Sequence, residues 1–244
     1  MSSGLGHVRR GFEISCLRWY RALKAHTRLE PYLIAGSCSE GALLVPTIKR
    51  GDPICKLLFK LPLLSEKTRW QLTYGIEQIS FLPGLVYRLY QIRPDVVWIK
   101  DVPLAYLVLF VSKLPGLGCK VVFANGGVFK PASYACFDRI QQLHPEAYDQ
   151  AIEFGISREK MDLLSNCIDC ESIAAAIDDQ FYLGIRKSLG IAIDDYMIVS
   201  SAAWNRYHKR IDYLIEEVAQ LGDPTVKLVL CGVEEADTDS LKAL

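Results

Sequence analysis

The chain carries no net charge, because 28 Lys and Arg balance 28 Asp and Glu over 244 residues. That balance excludes a general attraction to nucleic acid, so any bound anion must be held by a local cluster of cations. It also removes the repulsion that keeps copies apart and so favours self-association. There is no repeat, no low-complexity segment and no apolar run approaching the roughly 20 residues that a membrane-spanning helix needs. The most apolar stretch, residues 102–111, reads as a buried helix, which leaves open only a peripheral contact with a membrane. No secretory leader is legible, since Met1 runs directly into Ser2, Ser3 and Gly4. The eight cysteines are therefore expected to be reduced thiols of a cytoplasmic protein. Cys167 and Cys170 have the spacing of half a zinc site, but no second cysteine pair or histidine pair accompanies them. Loop thiols are expected there, with no metal and no cofactor. No Ser-His-Asp or Cys-His nucleophile arrangement is legible either.

What is present is an alternation of strands and helices in a chain that is 50% hydrophobic, enough for one large core or two modest ones. Residues 10–25 place Phe12, Cys16, Trp19, Tyr20 and Leu23 on one helical face. A short strand is expected at 31–35, and loops with one short strand at 36–65. A long helix at 65–91 is expected to break at Pro83 and Gly84. Then follow a strand at 96–99, a helix at 103–114, a strand at 120–124, a mostly helical stretch at 133–154 and a strand at 161–164. Residues 171–177 look helical. A helix at 184–190 precedes a strand opening at Tyr196, an amphipathic helix and a strand at 227–232. This order predicts an α/β fold with parallel sheets covered by helices on both faces.

Three places could carry chemistry. Gly4, Gly6 and His7 precede a helix, where glycines permit close approach of a ligand and the helix amino terminus favours an anion; a flexible lead-in is the alternative. Such a loop should follow a strand and Met1 leaves no room for one, so the first sheet is expected to lack its founding strand. Arg206, His208, Lys209 and Arg210 cluster at a strand-to-helix junction and suit a diphosphate, or else form a solvated basic loop. Asn125, Gly126 and Gly127 close one strand and Asp101 closes the preceding one, at the carboxyl ends where doubly wound sheets bind ligands. Asp101 could orient a substrate hydroxyl or act as a base, but a cap on the helix near Pro103 is the preferred reading. His144 has no nameable partner, and His26 is expected at the surface.

Several segments together resemble glycosyltransferase family 4, enzymes with two Rossmann-like domains in the GT-B arrangement. Gly155-Ile156-Ser157-Arg158-Glu159-Lys160-Met161 followed by Ser165-Asn166-Cys167-Ile168-Asp169 is similar to the segment that closes the family's N-terminal domain. Arg186-Lys187-Ser188-Leu189-Gly190-Ile191 and the stretch from Lys209 to Ile215 resemble two further family motifs. The start of the chain, with Asn125-Gly126-Gly127, is similar to bacterial, cyanobacterial-like members. The resemblance implies a Rossmann-like acceptor-side domain over 1–175 and an incomplete nucleotide-sugar-binding domain over 176–244. It implies sugar transfer from a nucleotide-sugar donor to a sugar or lipid-linked acceptor, with retention and without a metal. Gly4 and Gly6 match the glycine loop, Lys209 matches the lysine on the donor diphosphate, and His7, Asp101, Asn125, Gly126 and Gly127 are candidates for the acceptor cleft. Departures accompany these matches. Trp204 stands where an arginine is usual, with Arg206 as a substitute; Ala203 and Cys167 replace glycines, and Asn125 replaces a histidine. The family's downstream glutamates would lie beyond Leu244. The fragment is therefore expected to be inactive and to self-associate or bind a completing chain. The alternative is a non-catalytic pseudoenzyme or binding subunit.

Overall fold

The computed structural model describes residues 1–8, 11–37, 41–59, 65–127, 129–166, 168, 170, 178–207, 209–234 and 237–244. The expected helix at 171–177, Cys167 and His208 lie outside them. The chain divides into two compact units, Met1–Ile168 and Asp169–Leu244.

In the first unit α1 (Gly11–His26), β1 (Leu33–Ala35), β2 (Ala42–Leu44), α2 (Pro53–Phe59) and α3 (Glu66–Ile92) come first. β3 (Val96–Ile99), α4 (Val102–Val111), β4 (Lys120–Asn125), β5 (Arg139–Gln142), α5 (Pro145–Glu153) and β6 (Met161–Leu163) follow. All strand pairs are parallel: β1 pairs with β2, and β3, β4, β5 and β6 form a sheet in that order. Met1 and Ser2 lie between the two sheets. The Ser2 N–H donates to the Ile34 carbonyl at 3.1 Å and the Met1 amino group to the Trp98 carbonyl at 3.2 Å. The spatial order is therefore β2, β1, residues 1–2, β3, β4, β5, β6, a doubly wound arrangement in which only one bridge, Ser2 to Ala35, occupies the founding position among the described residues.

The core of this unit follows from apolar stripes meeting apolar strands. Phe81, Leu85 and Leu89 of α3 are fully buried with Val97 and Ile99 of β3, Val121 and Phe123 of β4, and Leu104 and Val108 of α4. Phe123 stacks on Phe137 at 5.0 Å between centroids and on Tyr134 at 6.0 Å. The apolar run at 102–111 is the helix α4, which buries Leu104, Ala105, Val108 and Val111. No helix among the described residues is long and apolar enough to cross a membrane.

Three expectations are corrected. α3 runs through Pro83 without a break, from a Ser65 cap whose side chain accepts from the Thr68 N–H to Arg93 at φ 50° just before Pro94. Phe81 and Leu85, buried on either side of the proline, anchor the helix to the core across the missing hydrogen bond. Gly84 is small because the chain after β2 crosses there: a Cβ would lie 2.6 Å from Val45 Cγ1. The stretch 133–154 contains the strand β5 before its helix, and α2 lies within the region expected to be loops and one strand. β5 escaped the sequence reading because buried glutamines fill its carboxyl half, each satisfied locally: Gln141 bonds Trp98 and the Leu164 carbonyl, and Gln142 bonds Asn125.

Pro83 is exposed and interior to α3, so Pro83→Ala should restore one backbone bond and stabilise this unit by about 1 to 3 kcal/mol. Urea unfolding monitored by circular dichroism measures it, and a variant no more stable than the parent would show that the helix is already relaxed around the proline.

The second unit contains α6 (Asp179–Ser188), β7 (Tyr196–Ser201), α7 (Ile211–Gln220), β8 (Val226–Cys231) and α8 (Thr238–Lys242). β7 and β8 pair in parallel as a two-stranded sheet, with all six residues of each in register. Neither strand has a buried residue. Gly232 permits the loops after both strands to converge, since a Cβ would meet the Ala202 carbonyl oxygen at 1.8 Å. The buried Arg186 ties α6 to the loop that follows. Its guanidinium donates to the carbonyls of Ala192 and Asp195 and to the Tyr182 hydroxyl, so this cation is a local clamp.

Candidate functional site

The polar centre of the first unit gathers at the carboxyl ends of its strands. Glu77, fully buried on α3, accepts from the Ser3 hydroxyl at 2.7 Å, from His7 Nε2 at 3.1 Å and from Arg50 Nη2 at 2.9 Å. Gln78, one residue on, donates to the Ser3 hydroxyl at 2.7 Å and to Asp101 Oδ2 at 3.0 Å, and the Tyr74 hydroxyl donates to Asp101 Oδ1. Arg50 also lies over the Tyr74 ring, 4.7 Å from its centroid. An open pocket of about 350 Å³ lies beside this cluster, lined by Arg50, Trp70, Gln71 and Tyr74.

Burial alone would push the Glu77 carboxyl up, but the hydrogen bonds from His7, Arg50 and Ser3 and the charge of Arg50 outweigh it. The carboxyl is held below the usual range and is ionised at neutral pH. With the imidazole neutral, the carboxylate facing His7 Nε2 places the N–H on that nitrogen and leaves Nδ1 as an acceptor. Nδ1 is buried and has no partner among the described residues, and the same holds for Gln78 Oε1 and Asn125 Oδ1. A base-capable nitrogen, backed by a carboxylate and left with an open lone pair, can receive a hydroxyl hydrogen bond.

A second cluster adjoins the first through the chain. Lys100 Nζ, next to Asp101, donates to Ser15 Oγ and to Asn166 Oδ1, each at 2.8 Å. Gly126 passes so close that a Cβ would lie 3.1 Å from Lys100 Cε and 2.9 Å from the Phe12 ring.

The sequence-derived candidates are distributed as follows. His7 and Asp101 fall in the Glu77 cluster. Gly4 starts the turn that carries His7, with its carbonyl accepting from the His7 and Val8 N–H groups, and a Cβ there would meet Glu13 at 2.6 Å. Gly6 sits at φ +94°, a conformation that favours glycine. Asn125 is buried at the end of β4 and donates to Gln142, while Gly127 packs against Phe129. Asp101 occupies the cap position of α4 but makes no side-chain cap bond, so the capping preference is overturned: the carboxylate is taken by Tyr74 and Gln78 instead. His144 holds the equivalent position before α5, also without a cap bond, and His26 is exposed. Among the described residues no group of three or more His, Cys, Asp or Glu could hold a metal, and Cys170 is a free, exposed thiol.

In the second unit Lys209 follows β7. Its backbone N–H is fixed by Asn205 Oδ1 at 2.8 Å, and its side chain is exposed. Arg206 points elsewhere: its backbone donates to Asp237, and its guanidinium to Ser240 Oγ at 3.3 Å and the Ser240 carbonyl at 3.2 Å. Arg210, in the left-handed region at φ 51°, stands at the N-cap position of α7 without a side-chain cap bond and pairs with Asp212 at 3.4 Å.

Glu77, Gln78, Tyr74, Arg50 and Lys100 were not read from the sequence. One signal was there. Gln78 lies on the stripe that continues as Phe81, Leu85 and Leu89, and an amide on a core stripe needs partners.

No protein-family model and no curated protein matches the sequence. Solved structures match it by fold. Anabaena Alr3699/HepE in complex with UDP and glucose aligns with TM-score 0.53 and 14% identity over 67% of this chain and 46% of that one. The same protein with UDP-glucose aligns with TM-score 0.53 and 14% identity over 80% and 62%. S. aureus MnaA with UDP aligns with TM-score 0.53 and 13% identity over 93% and 61%. The chain spans about half to three-fifths of the length of these proteins. The fold is Rossmann-like α/β with parallel sheets and corresponds to part of a GT-B architecture.

Proposed function

We propose that the chain serves glycosyl transfer from a nucleotide-sugar donor, with acceptor recognition in the first unit and diphosphate recognition in the second. The observation that carries this reading is the Glu77 cluster, where His7 Nδ1 and Gln78 Oε1 remain open in a buried polar site at the carboxyl ends of parallel strands. Glu77 orients His7, and His7 positions an acceptor hydroxyl through Nδ1. Arg50, Trp70 and Tyr74 offer an aromatic and cationic wall for a sugar or lipid-linked sugar. In the second unit Lys209 offsets the charge of the departing diphosphate, helped by the amino terminus of α7. Arg206 is already spent on Asp237 and Ser240, so the diphosphate role rests on Lys209. UDP is the natural first probe, because the HepE and MnaA structures that share the fold hold it.

Calorimetric titration of UDP into the 244-residue chain tests the assignment. Lys209→Ala should weaken UDP binding about tenfold, the value of one charge-assisted contact, while His7→Ala leaves it unchanged. Equal affinity for the parent and Lys209→Ala, or no uptake of any nucleotide at millimolar concentration, would remove the donor half of the proposal.

A further inference from the structure

A surface helix usually buries its apolar side chains and exposes its polar ones. α2 does the reverse. Cys55 is buried, whereas Pro53, Ile54, Lys56 and Leu57 are exposed, Ile54 at 55% and Leu57 at 61%. At about 100° per residue these four share one arc of the helix, and nothing acidic interrupts it.

The face is held in place from behind. α2 packs on α3, and the Lys56 N–H donates to the Asp52 carbonyl at 3.0 Å. Arg50, in the segment leading into the helix, is anchored on the buried Glu77 at 2.9 Å. Trp70 of α3 is exposed and lines the pocket of about 350 Å³ together with Arg50, so the approach to α2 and the first turns of α3 meet there.

Charge decides what covers this face. Lys49, Arg50 and Lys56 before and on α2, with Lys67 and Arg69 at the start of α3, stand against Asp52 and Glu66 alone. With Arg50 neutralised by Glu77 the excess is still positive, in a chain whose total charge is zero. A second copy presenting the same face would bring like charges together. A nucleic acid would match the cations but leave Ile54, Leu57 and Trp70 in water. An anionic bilayer meets both demands, because apolar side chains enter the headgroup layer while lysines meet lipid phosphates.

We propose that the outward face of α2, together with Trp70, seats the first unit on an anionic lipid surface as a peripheral contact. Ile54 and Leu57 enter the headgroup layer, and Lys49 and Lys56 pair with lipid phosphates. This surface does not rest on the glycosyl-transfer reading, and UDP titration does not report on it.

The test is sedimentation of the 244-residue chain with vesicles of phosphatidylcholine, with or without about a quarter phosphatidylglycerol. The chain should bind the anionic vesicles at least about tenfold more tightly than the neutral ones, and about 0.5 M salt should weaken that binding at least about fivefold. Ile54→Ser combined with Leu57→Ser keeps every charge and should weaken binding about tenfold. Lys56→Gln keeps the apolar side chains and should weaken it about fivefold, the share of one cation. Phe110→Ser, which trims an exposed apolar side chain at the end of α4 far from Asp101, should change nothing. Equal uptake by neutral and anionic vesicles, or uptake by neither, would overturn the proposal. So would equal binding by the parent and the Ile54→Ser, Leu57→Ser protein, or a Phe110→Ser protein weakened as much as that one. A lipid-free dimer that dissociates in the Ile54→Ser, Leu57→Ser protein would give the face to a second copy of this chain, which also overturns it.

Discussion

Glu77→Leu is expected to cost the first unit about 3 to 5 kcal/mol, because it removes one partner of a buried ion pair and strands the other. Arg50 would lose its carboxylate while its side chain stays 12% exposed, and Ser3 and His7 would lose the acceptor that holds them. For a unit of this size the loss corresponds to a fall in Tm of roughly 6 to 20 °C. Glu77→Gln keeps the shape and one acceptor, so it should cost less. The pH dependence follows from the direction of the shift. The Glu77 carboxyl is held below its ordinary value, so its contribution is complete above about pH 4.3 and is lost as pH falls through the lower folded value. The stability gap between the parent and Glu77→Gln should therefore narrow in acid below about pH 4. Thermal unfolding at pH 7 and at pH 3 measures both effects. A Glu77→Leu protein within about 0.5 kcal/mol of the parent, the range of ordinary surface changes, would mean that the cluster is not held together by this carboxylate.

Backbone amides of β7 and β8 are expected to exchange about 100-fold faster than those of β3 and β4, because local opening there exposes little that was buried. In β4 Val121, Phe123 and Ala124 are buried, whereas every residue of β7 and β8 is partly or fully exposed. The second unit buries few apolar side chains, chiefly Ile191, Ile211 and Leu241, and both core clusters among the described residues belong to the first unit. Tyr196 is 74% exposed and Val199 54%, on a sheet with an open edge on each side. Such a surface invites association. The exchange pattern should therefore be accompanied by concentration-dependent sedimentation. Slow exchange throughout residues 196–231 in a sample that stays monomeric would show that the second unit is stable by itself.

Local features written in consecutive residues were legible in the sequence. The apolar strands expected at 96–99 and 120–124, the helix expected at 103–114 with its early proline and the β7–α7–β8 unit all follow from periodicity and turn chemistry, which act over a few residues. So did the position of Asp101, Asn125 and Lys209 at the carboxyl ends of strands. β5 and the unbroken α3 were decided by tertiary contacts. Gln141 and Gln142 are tolerable inside only because Trp98, Asn125 and Leu164 supply partners, and Pro83 sits in a helix because Phe81 and Leu85 are buried beside it. The Glu77 cluster is a product of the fold alone. Ser3, His7, Arg50, Tyr74, Gln78 and Asp101 span much of the first unit's sequence, and spacing along a chain carries no information about which polar side chains will share one buried carboxylate. Asp101 shows the division most plainly. Its place before a helix was set by sequence and suggested a cap, while its hydrogen bonds were set by Tyr74 and Gln78 arriving from α3, where a buried carboxylate gains more from two side-chain donors than from a helix end.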